Sequence, residues 1–544
     1  MIGTTTKAIM SFGKVSQERA ISWPPSVIWV PAVIVAIAVL LPIAYLVLRA
    51  VGAGGEIWEL LFRMRTLQIL GRTVILIVAV TGVSVAISLP LAWLTTRTDL
   101  PFRRVWSVLT VLPLVIPSYV AGFIVVAALG PRGMLQQLLS GLLGPESLPE
   151  IYGFPGAMLS LVLVSYPYVL LTLQAAMQGL DPCLEEASRS LGHGPWGTFR
   201  RVTLPQLRPA IAAGALLVAL YTLRDFGAVS LLRYETFTWA IYLQYQTSFD
   251  RMLAAGLSTV LVVTAVVILF IEVRTRGRAR YHRVAVGGMR PPAYNRLGKW
   301  RWPALGFCYL IVLLSLIMPV TVLSYWLIQG ISIGEQFPPI WKLALNSGYV
   351  STLAATATVI AALPVVLLAV RYSGRLSGLL ERTTYIGFAL PGIVIALALV
   401  FFGANYALPI YQTLGLLIFA YVILFLPQAV GPIRSSLLQV SPRVEEAART
   451  LGRTVVRVLG TITIPLIKRG ILAGAIMVFL TTMKELPATL ILSPIGFRTL
   501  ATSIWSLTSD GFFARAAVPA LLLILISSVP MAFNVVRERE EKHD

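Results

Sequence analysis

Cysteine occurs only twice in the 544 residues, at Cys183 and Cys308, and histidine three times, at His193, His282 and His543. Two cysteines without a paired spacing exclude a disulfide framework and a zinc site of the usual pattern. The histidines fall in polar loops or the C-terminal tail, so no histidine metal site is expected. Charge is scarce too, with Asp, Glu, Lys and Arg making up 12% of the chain, about half the share in an ordinary soluble domain. No Gly-x-x-x-x-Gly-Lys-Ser/Thr phosphate loop occurs, so this chain does not hold and hydrolyse ATP in the usual way.

What is abundant is apolar: 57% of the residues are hydrophobic and the mean hydropathy is +0.82. About 20 apolar residues cross a bilayer. Twelve runs qualify, at 27–49, 70–96, 105–128, 156–178, 209–230 and 252–273, then 303–328, 344–371, 379–402, 412–438, 469–492 and 513–536. The first run is too long for a signal-peptide core and has no obvious small-residue cleavage site, so it reads as a retained anchor. The expected fold class is an all-α polytopic membrane protein of about twelve transmembrane helices.

The net charge of +21 resides in alternate loops. Arg97, Arg103 and Arg104 occupy one; Arg189, Arg200, Arg201 and Arg208 another; and a basic linker runs from Arg274 to Arg301. The loop at 129–155 sets Arg132 against Glu146 and Glu150, and the loop at 403–411 has no charge. Basic loops stay inside, which puts both termini in the cytoplasm. The linker reads as a connector near anionic lipid, not as a nucleic-acid site.

One stretch is written twice. Glu185-Glu186-Ala187-Ser188-Arg189-Ser190-Leu191-Gly192 precedes Leu204-Pro205, and Glu445-Glu446-Ala447-Ala448-Arg449-Thr450-Leu451-Gly452 precedes Ile464-Pro465. The offset is 260 residues at both ends (445 − 185 and 465 − 205). It also relates Pro167 to Pro427, Asp181-Pro182 to Ser441-Pro442, and Arg224-Asp225 to Lys484-Glu485. Upstream the offset becomes 274, relating Leu89-Pro90 to Leu363-Pro364, Arg97 to Arg371 and Pro117 to Pro391. The chain therefore divides into a first half (1–273), the linker (274–302) and a second half (303–544), two parallel repeats of six spans related by a pseudo-twofold axis along the membrane normal.

Asp181-Pro182 and Ser441-Pro442 have the form of a side-chain cap followed by proline at the first helical position. The glutamates suit the positive end of a helix. Leu184, Ala187 and Leu191 share one face, as do Val444, Ala447 and Leu451, and Gly192 and Gly452 stop the helix. The expectation is a short amphipathic helix near 181–192, and another near 441–452, each fitted for a groove on a partner. The plainer alternative, a surface helix packed on its own spans, does not account for two copies at fixed spacing.

Glu-x-Ala, glycine five residues after the alanine, and a hydrophobic-Pro pair beyond resemble the cytoplasmic signature of binding-protein-dependent ABC importer permeases. The resemblance covers nearly the whole chain as a fused double-length permease of the type I importer arrangement. It implies that the short helices are coupling helices that dock on a separate ABC ATPase, probed through Glu185, Glu186, Ala187, Leu191 and Gly192 and through Glu445, Glu446, Ala447, Leu451 and Gly452. ATP and Mg would be bound by that ATPase, in two copies, and cargo delivered by a periplasmic or lipid-anchored binding protein. The location implied is a bacterial inner membrane. The stretches Thr222–Tyr242 and Lys484–Trp505 are most similar to fused iron(III) permeases. Thiamine or another small solute is the alternative within the class. An ion-gradient-driven secondary transporter is the alternative outside it, and lacks a reason for two matched docking helices.

Arg224, Asp225, Lys484 and Glu485 fall inside the fifth and eleventh runs, where charge is costly unless paired or wetted. One reading pairs Arg224 with Glu485 and Lys484 with Asp225 across the halves; the other puts the carboxylates at an outer gate on the translocation path, with Tyr221. Tyr166, Tyr168 and Tyr221 offer oxygens suited to a ferric ion, although membrane tyrosines more often serve as interface anchors or core. A path that releases its cargo needs no tight metal cage, and the sequence names none.

Overall fold

The computed structural model describes residues 24–52, 59, 62–131, 133–143, 150–180, 182–247, 251–275, 294–372 and 374–540. The polar N-terminal stretch, most of the linker, Asp181, Glu146, His282 and His543 lie outside the described residues. Helices dominate, and among the described residues β-type pairing is confined to one isolated bridge, between Thr98 and Asn295. Hydrocarbon offers the backbone no hydrogen-bond partners, and a helix satisfies its own.

Among the described residues eight helices are long and apolar enough to cross a membrane, or up to ten if each of two bent pairs is one span. Two shorter apolar helices, Ala254–Ile268 and Phe513–Ser528, stand at the sixth and twelfth runs. Four of the twelve expected runs are not straight rods. The third divides into Arg103–Leu109, a 3-10 turn at Leu112–Val115 and Ser118–Leu129. The ninth breaks before Pro391, its two parts bent by 101°. Proline disfavours helical backbone in the residue before it, which accounts for breaks at Pro117 and Pro391. The fifth run, expected over 209–230, ends at Arg224, and the eleventh, expected over 469–492, stops at Met483 and restarts at Pro487.

Each half is built on three helices packed together: Met64–Arg97, Phe154–Gln178 and Leu204–Arg224 in the first, Ile340–Arg371, Leu414–Gln439 and Lys468–Met483 in the second. Glycine sets the spacing at matched places. A Cβ on Gly214 would lie 2.8 Å from Val169 Cα, and one on Gly474 3.1 Å from Ala429 Cα. Helices pack in lipid by such close approach, because lipid supplies no hydrophobic drive to bring them together.

The halves interlock through their first helices. Ser26–Gly52 packs on Ile340–Arg371, Arg375–Ala389 and Gly392–Tyr406 of the second half. Met318–Ser332 of the second half packs on Ser118–Leu129, where Trp326 Nε1 donates to the Ala127 carbonyl at 3.0 Å. The apolar helix Met134–Leu143, in the longer loop of the first half, joins the same seam: Tyr325 donates to Gln137 Oε1 at 2.8 Å.

The end of the linker is stitched to the first half. Asn295 exchanges backbone bonds with Arg97 and Asp99, Arg103 lies over the Tyr294 ring at 3.8 Å, and Arg189 donates to Asn295 Oδ1 at 2.6 Å. Asp99 accepts from the Leu297 N–H at 2.8 Å and pairs with Arg301 at 3.3 Å. The Leu297 N–H, with Arg301 beside it, holds the Asp99 carboxyl below its ordinary value.

Candidate functional site

The repeated motif folds as two short helices, Pro182–Ser190 and Pro442–Thr450. Each begins at its proline, whose missing N–H is no loss at that position. The expected serine cap does not form: Ser441 makes no side-chain cap bond and its carbonyl accepts from the Val444 N–H instead. Both helices end in the same turn. His193 N–H bonds Ser188 O while Gly192 N–H bonds Arg189 O; Arg453 N–H bonds Ala448 O while Gly452 N–H bonds Arg449 O. This Schellman pattern needs a left-handed residue at the glycine, and φ is +84° at Gly192 and +82° at Gly452.

One face of each helix turns inward. Glu185 accepts from Thr203 Oγ1 at 3.1 Å and Ser188 meets Thr198 at 3.2 Å. In the second half Glu445 and Ala448 are buried, and Glu445 accepts from Thr463 Oγ1 at 3.2 Å. Arg371 adds a buried ion pair to Glu445 at 2.9 Å and also bonds the Val440 carbonyl. Its counterpart Arg97 bonds the Met177 carbonyl at 2.7 Å, and its Nε is buried without a hydrogen-bond partner. Sequence spacing alone links Arg97 with Arg371; that one of them braces a motif glutamate emerges only from the packing.

The opposite face is apolar and bare. Leu184 and Val444 are about half exposed, Leu191 is 79% and Leu451 83% exposed, and Ala187, Ala447, Glu186 and Glu446 are exposed with them. Burying a leucine yields about 1.5–3 kcal/mol, so this face gains by covering. Beyond each helix a π-helical turn, Phe199–Thr203 or Leu459–Thr463, leads into the hydrophobic-Pro pair. The wider turn relieves the clash a proline ring makes with the carbonyl four residues back.

The membrane charges have a local logic. Arg224 closes one helix and Lys484 another, where cations suit the negative end. The carboxylates open the next helices: Asp225 Oδ1 accepts from the N–H groups of Ala228 (3.0 Å) and Val229 (3.2 Å), and Glu485 Oε1 from Ala488 (3.2 Å). These bonds are why both runs end early.

Arg224 lies within electrostatic range of Glu485 across the halves and of Tyr168 and Tyr221 in its own half. Among the described residues no ion pair joins Lys484 to Asp225, the other expected pairing, and Asp225 Oδ1 is taken by backbone N–H groups. Glu485 also fills the space a side chain at residue 392 would need, since a Cβ on Gly392 would lie 2.6 Å from its Oε1. The Tyr168 and Tyr221 rings meet at 5.5 Å. Tyr166 is core: its buried hydroxyl donates to the Thr110 carbonyl at 2.7 Å. Among the described residues no group of three or more His, Cys, Asp or Glu converges as a metal cage.

Sequence reasoning missed an aromatic cluster beside these charges. Tyr242 and Trp505 stand at matched places, each six residues after the threonine that precedes its helix, Thr236 or Thr499. They meet edge to face at 5.7 Å across the seam between the halves. Phe226 lies 4.9 Å from Tyr242 and 5.9 Å from Trp505, and Trp239 stacks on Tyr242 at 5.8 Å. Trp505 Nε1 donates to Ser230 Oγ at 3.0 Å, tying the second half to the first. The cluster lies toward the end remote from the motif helices, because Phe237 N–H bonds Thr73 near the far end of Met64–Arg97. The only signal available was that both quoted stretches end on an aromatic residue.

Comparison with known proteins agrees with this geometry. The model of the family described as binding-protein-dependent transport system inner membrane component matches twice, over residues 84–277 and 357–541. The chain is 38% identical to the Fe(3+)-transport system permease protein FbpB 2 of Haemophilus influenzae, over 90% of this chain and 93% of that protein. It is 24% identical to the ferric transport system permease protein FbpB of Actinobacillus pleuropneumoniae, over 83% of this chain and 68% of that one. A single half is 32% identical to the molybdenum transport system permease protein ModB of Escherichia coli K12, over 37% of this chain and 91% of that one.

Proposed function

The chain belongs to the family of binding-protein-dependent transport system inner membrane components, and from that premise we propose that it carries ferric iron into the cell. It is a multi-pass inner membrane permease, a transport subunit and not an enzyme. The iron reading rests on one observation: a match to a ferric permease along nearly the full length of both chains, not over one half.

In this proposal an ATPase docks one copy on each motif helix, covering Leu184 and Leu191 in one half and Val444 and Leu451 in the other. A binding protein delivers iron on the opposite side, and both termini lie in the cytoplasm. Closure of the ATPase pair moves the two helices, and the rigid turns at Gly192 and Gly452 pass that movement through the π turns to the Leu204–Arg224 and Lys468–Met483 helices. Those helices end at Arg224 and Met483, so displacing them weakens the Arg224–Glu485 attraction and parts the Tyr242–Trp505 pair. In this reading those residues form the outer gate, and cargo passes when the halves separate there.

The test is uptake of radiolabelled ferric iron by intact cells with and without this chain, with molybdate and thiamine uptake in parallel. Loss of iron uptake alone on deletion supports the proposal. Unchanged iron uptake, in cells without a second iron importer, refutes the cargo and leaves the family standing.

A further inference from the structure

A cavity of about 440 Å³, open on one side, lies behind the first motif helix. Its size falls in the range of small-molecule sites, about 300–1,000 Å³. The walls are Leu89, Pro90 and Trp93 from the second span and Trp196 and Phe199 from the turn after the motif helix, the last two rings stacked at 5.6 Å. Arg189, Glu185, Thr198, Thr203 and Asn295 supply the polar part of the lining. The Glu185 carboxylate is engaged by Thr203 Oγ1, and Arg189 uses one donor on Asn295. A guanidinium has five donors, so Arg189 retains several for a ligand.

Three observations say what fits. Trp93 is four residues from the end of its span at Arg97, about 6 Å along the helix, which is headgroup depth for a membrane tryptophan. Half of the lining residues are apolar or aromatic, and the exposed Arg189 adds a cation. The matched positions of the second half are Leu367, Val456 and Leu459, so the aromatic walls belong to the first half alone.

We propose that this cavity binds one anionic phospholipid of the adjacent leaflet, an acyl chain between Trp93, Trp196 and Phe199 and the headgroup phosphate on Arg189. The lipid touches both a membrane span and the motif helix. Its occupancy therefore braces the first docking helix, which lacks the Arg371–Glu445 type of ion pair that braces the second.

The test uses the full chain in detergent, offered phosphatidylglycerol, phosphatidylcholine or palmitate, with retained lipid counted by mass spectrometry of the intact protein. One phosphatidylglycerol per chain is expected to be held in preference to phosphatidylcholine. Arg189→Gln should weaken retention about five-fold, Arg189→Lys should restore most of it, and Leu89→Trp should abolish it by filling the cavity. A second measurement uses the folded chain in nanodiscs. Phosphatidylglycerol with brominated chains should quench tryptophan fluorescence beyond brominated phosphatidylcholine, and Trp93→Phe with Trp196→Phe should remove the excess. Equal retention of both phospholipids, palmitate held in place of phosphatidylglycerol, retention unaffected by both Arg189→Gln and Leu89→Trp, or an excess surviving the double tryptophan change would each overturn the proposal.

Discussion

Arg371 and Glu445 form a buried ion pair at 2.9 Å, with side chains 10% and 9% exposed, whereas at the matched positions of the first half Arg97 bonds backbone carbonyls and Glu185 a threonine hydroxyl. The two motif helices look alike in sequence and are held differently.

Equal substitutions should therefore act unequally. Glu445→Ala leaves Arg371 buried without its countercharge and is expected to cost about 3–5 kcal/mol. Glu185→Ala removes one hydrogen bond, worth about 1 kcal/mol. Thermal unfolding of the two purified variants compares them directly. Equal losses would mean that the pair does not brace the second helix.

Gly192 and Gly452 are required for their backbone and not for space. No atom lies within 4 Å of a Cβ built at either, but φ is positive at both. Valine there should cost about 1–2 kcal/mol per site in the left-handed region and unwind the terminal turn, while asparagine is tolerated better. The expected outcome for Gly452→Val, at normal expression, is continued ATP hydrolysis by the associated ATPase with lost uptake. Unimpaired uptake would remove the coupling role from that turn.

The seam charges and aromatics can be separated by choice of substitution. Asn at 225 and Gln at 485 keep an oxygen for the helix N–H groups, so Asp225→Asn with Glu485→Gln should preserve the helix starts while removing both carboxylate charges, including the attraction of Glu485 to Arg224. That double change is expected to raise ATP hydrolysis in the absence of binding protein. Tyr242→Ala with Trp505→Ala should raise it further by opening the aromatic contact. Hydrolysis and transport unchanged in both would refute the outer gate.

Acid should release the linker from the first half. The Asp99 carboxyl is held below its ordinary value, so its contribution is full above the unfolded value near about pH 4 and is lost as pH falls through the lower folded value. Hydrogen exchange at the Leu297 amide, which Asp99 accepts, should accelerate over that acid window relative to neighbouring amides. In Asp99→Asn the acid-dependent step should be absent; a step that persists assigns the release to another group.

Much of this protein was determined by sequence alone, because its main constraints are one-dimensional. A span needs a run of apolar residues, and a repeat shows itself by a fixed offset, so the all-helical membrane fold, its twofold repeat and both motif helices could be read directly, whereas twelve expected spans became eight to ten among the described residues. The apolar face followed from helical period, with Leu184 and Leu191 bare as expected, but the period does not separate Glu185 from Glu186; that Glu185 and Glu445 turn inward while Glu186 and Glu446 stay exposed came from the packing. What hydropathy could not show was where a rod breaks, since a polar pair inside an apolar run has the same composition whether it pairs across the seam or caps a helix. Tertiary structure decided that Asp225 caps backbone, that Arg224 comes within electrostatic range of Glu485, and that Tyr242 reaches Trp505. It also decided that Arg371 finds a carboxylate where Arg97 finds carbonyls, although the residues match one for one. The reason is physical: a side chain's partner depends on distances of a few ångströms between segments far apart in the chain, which similarity between the halves does not constrain.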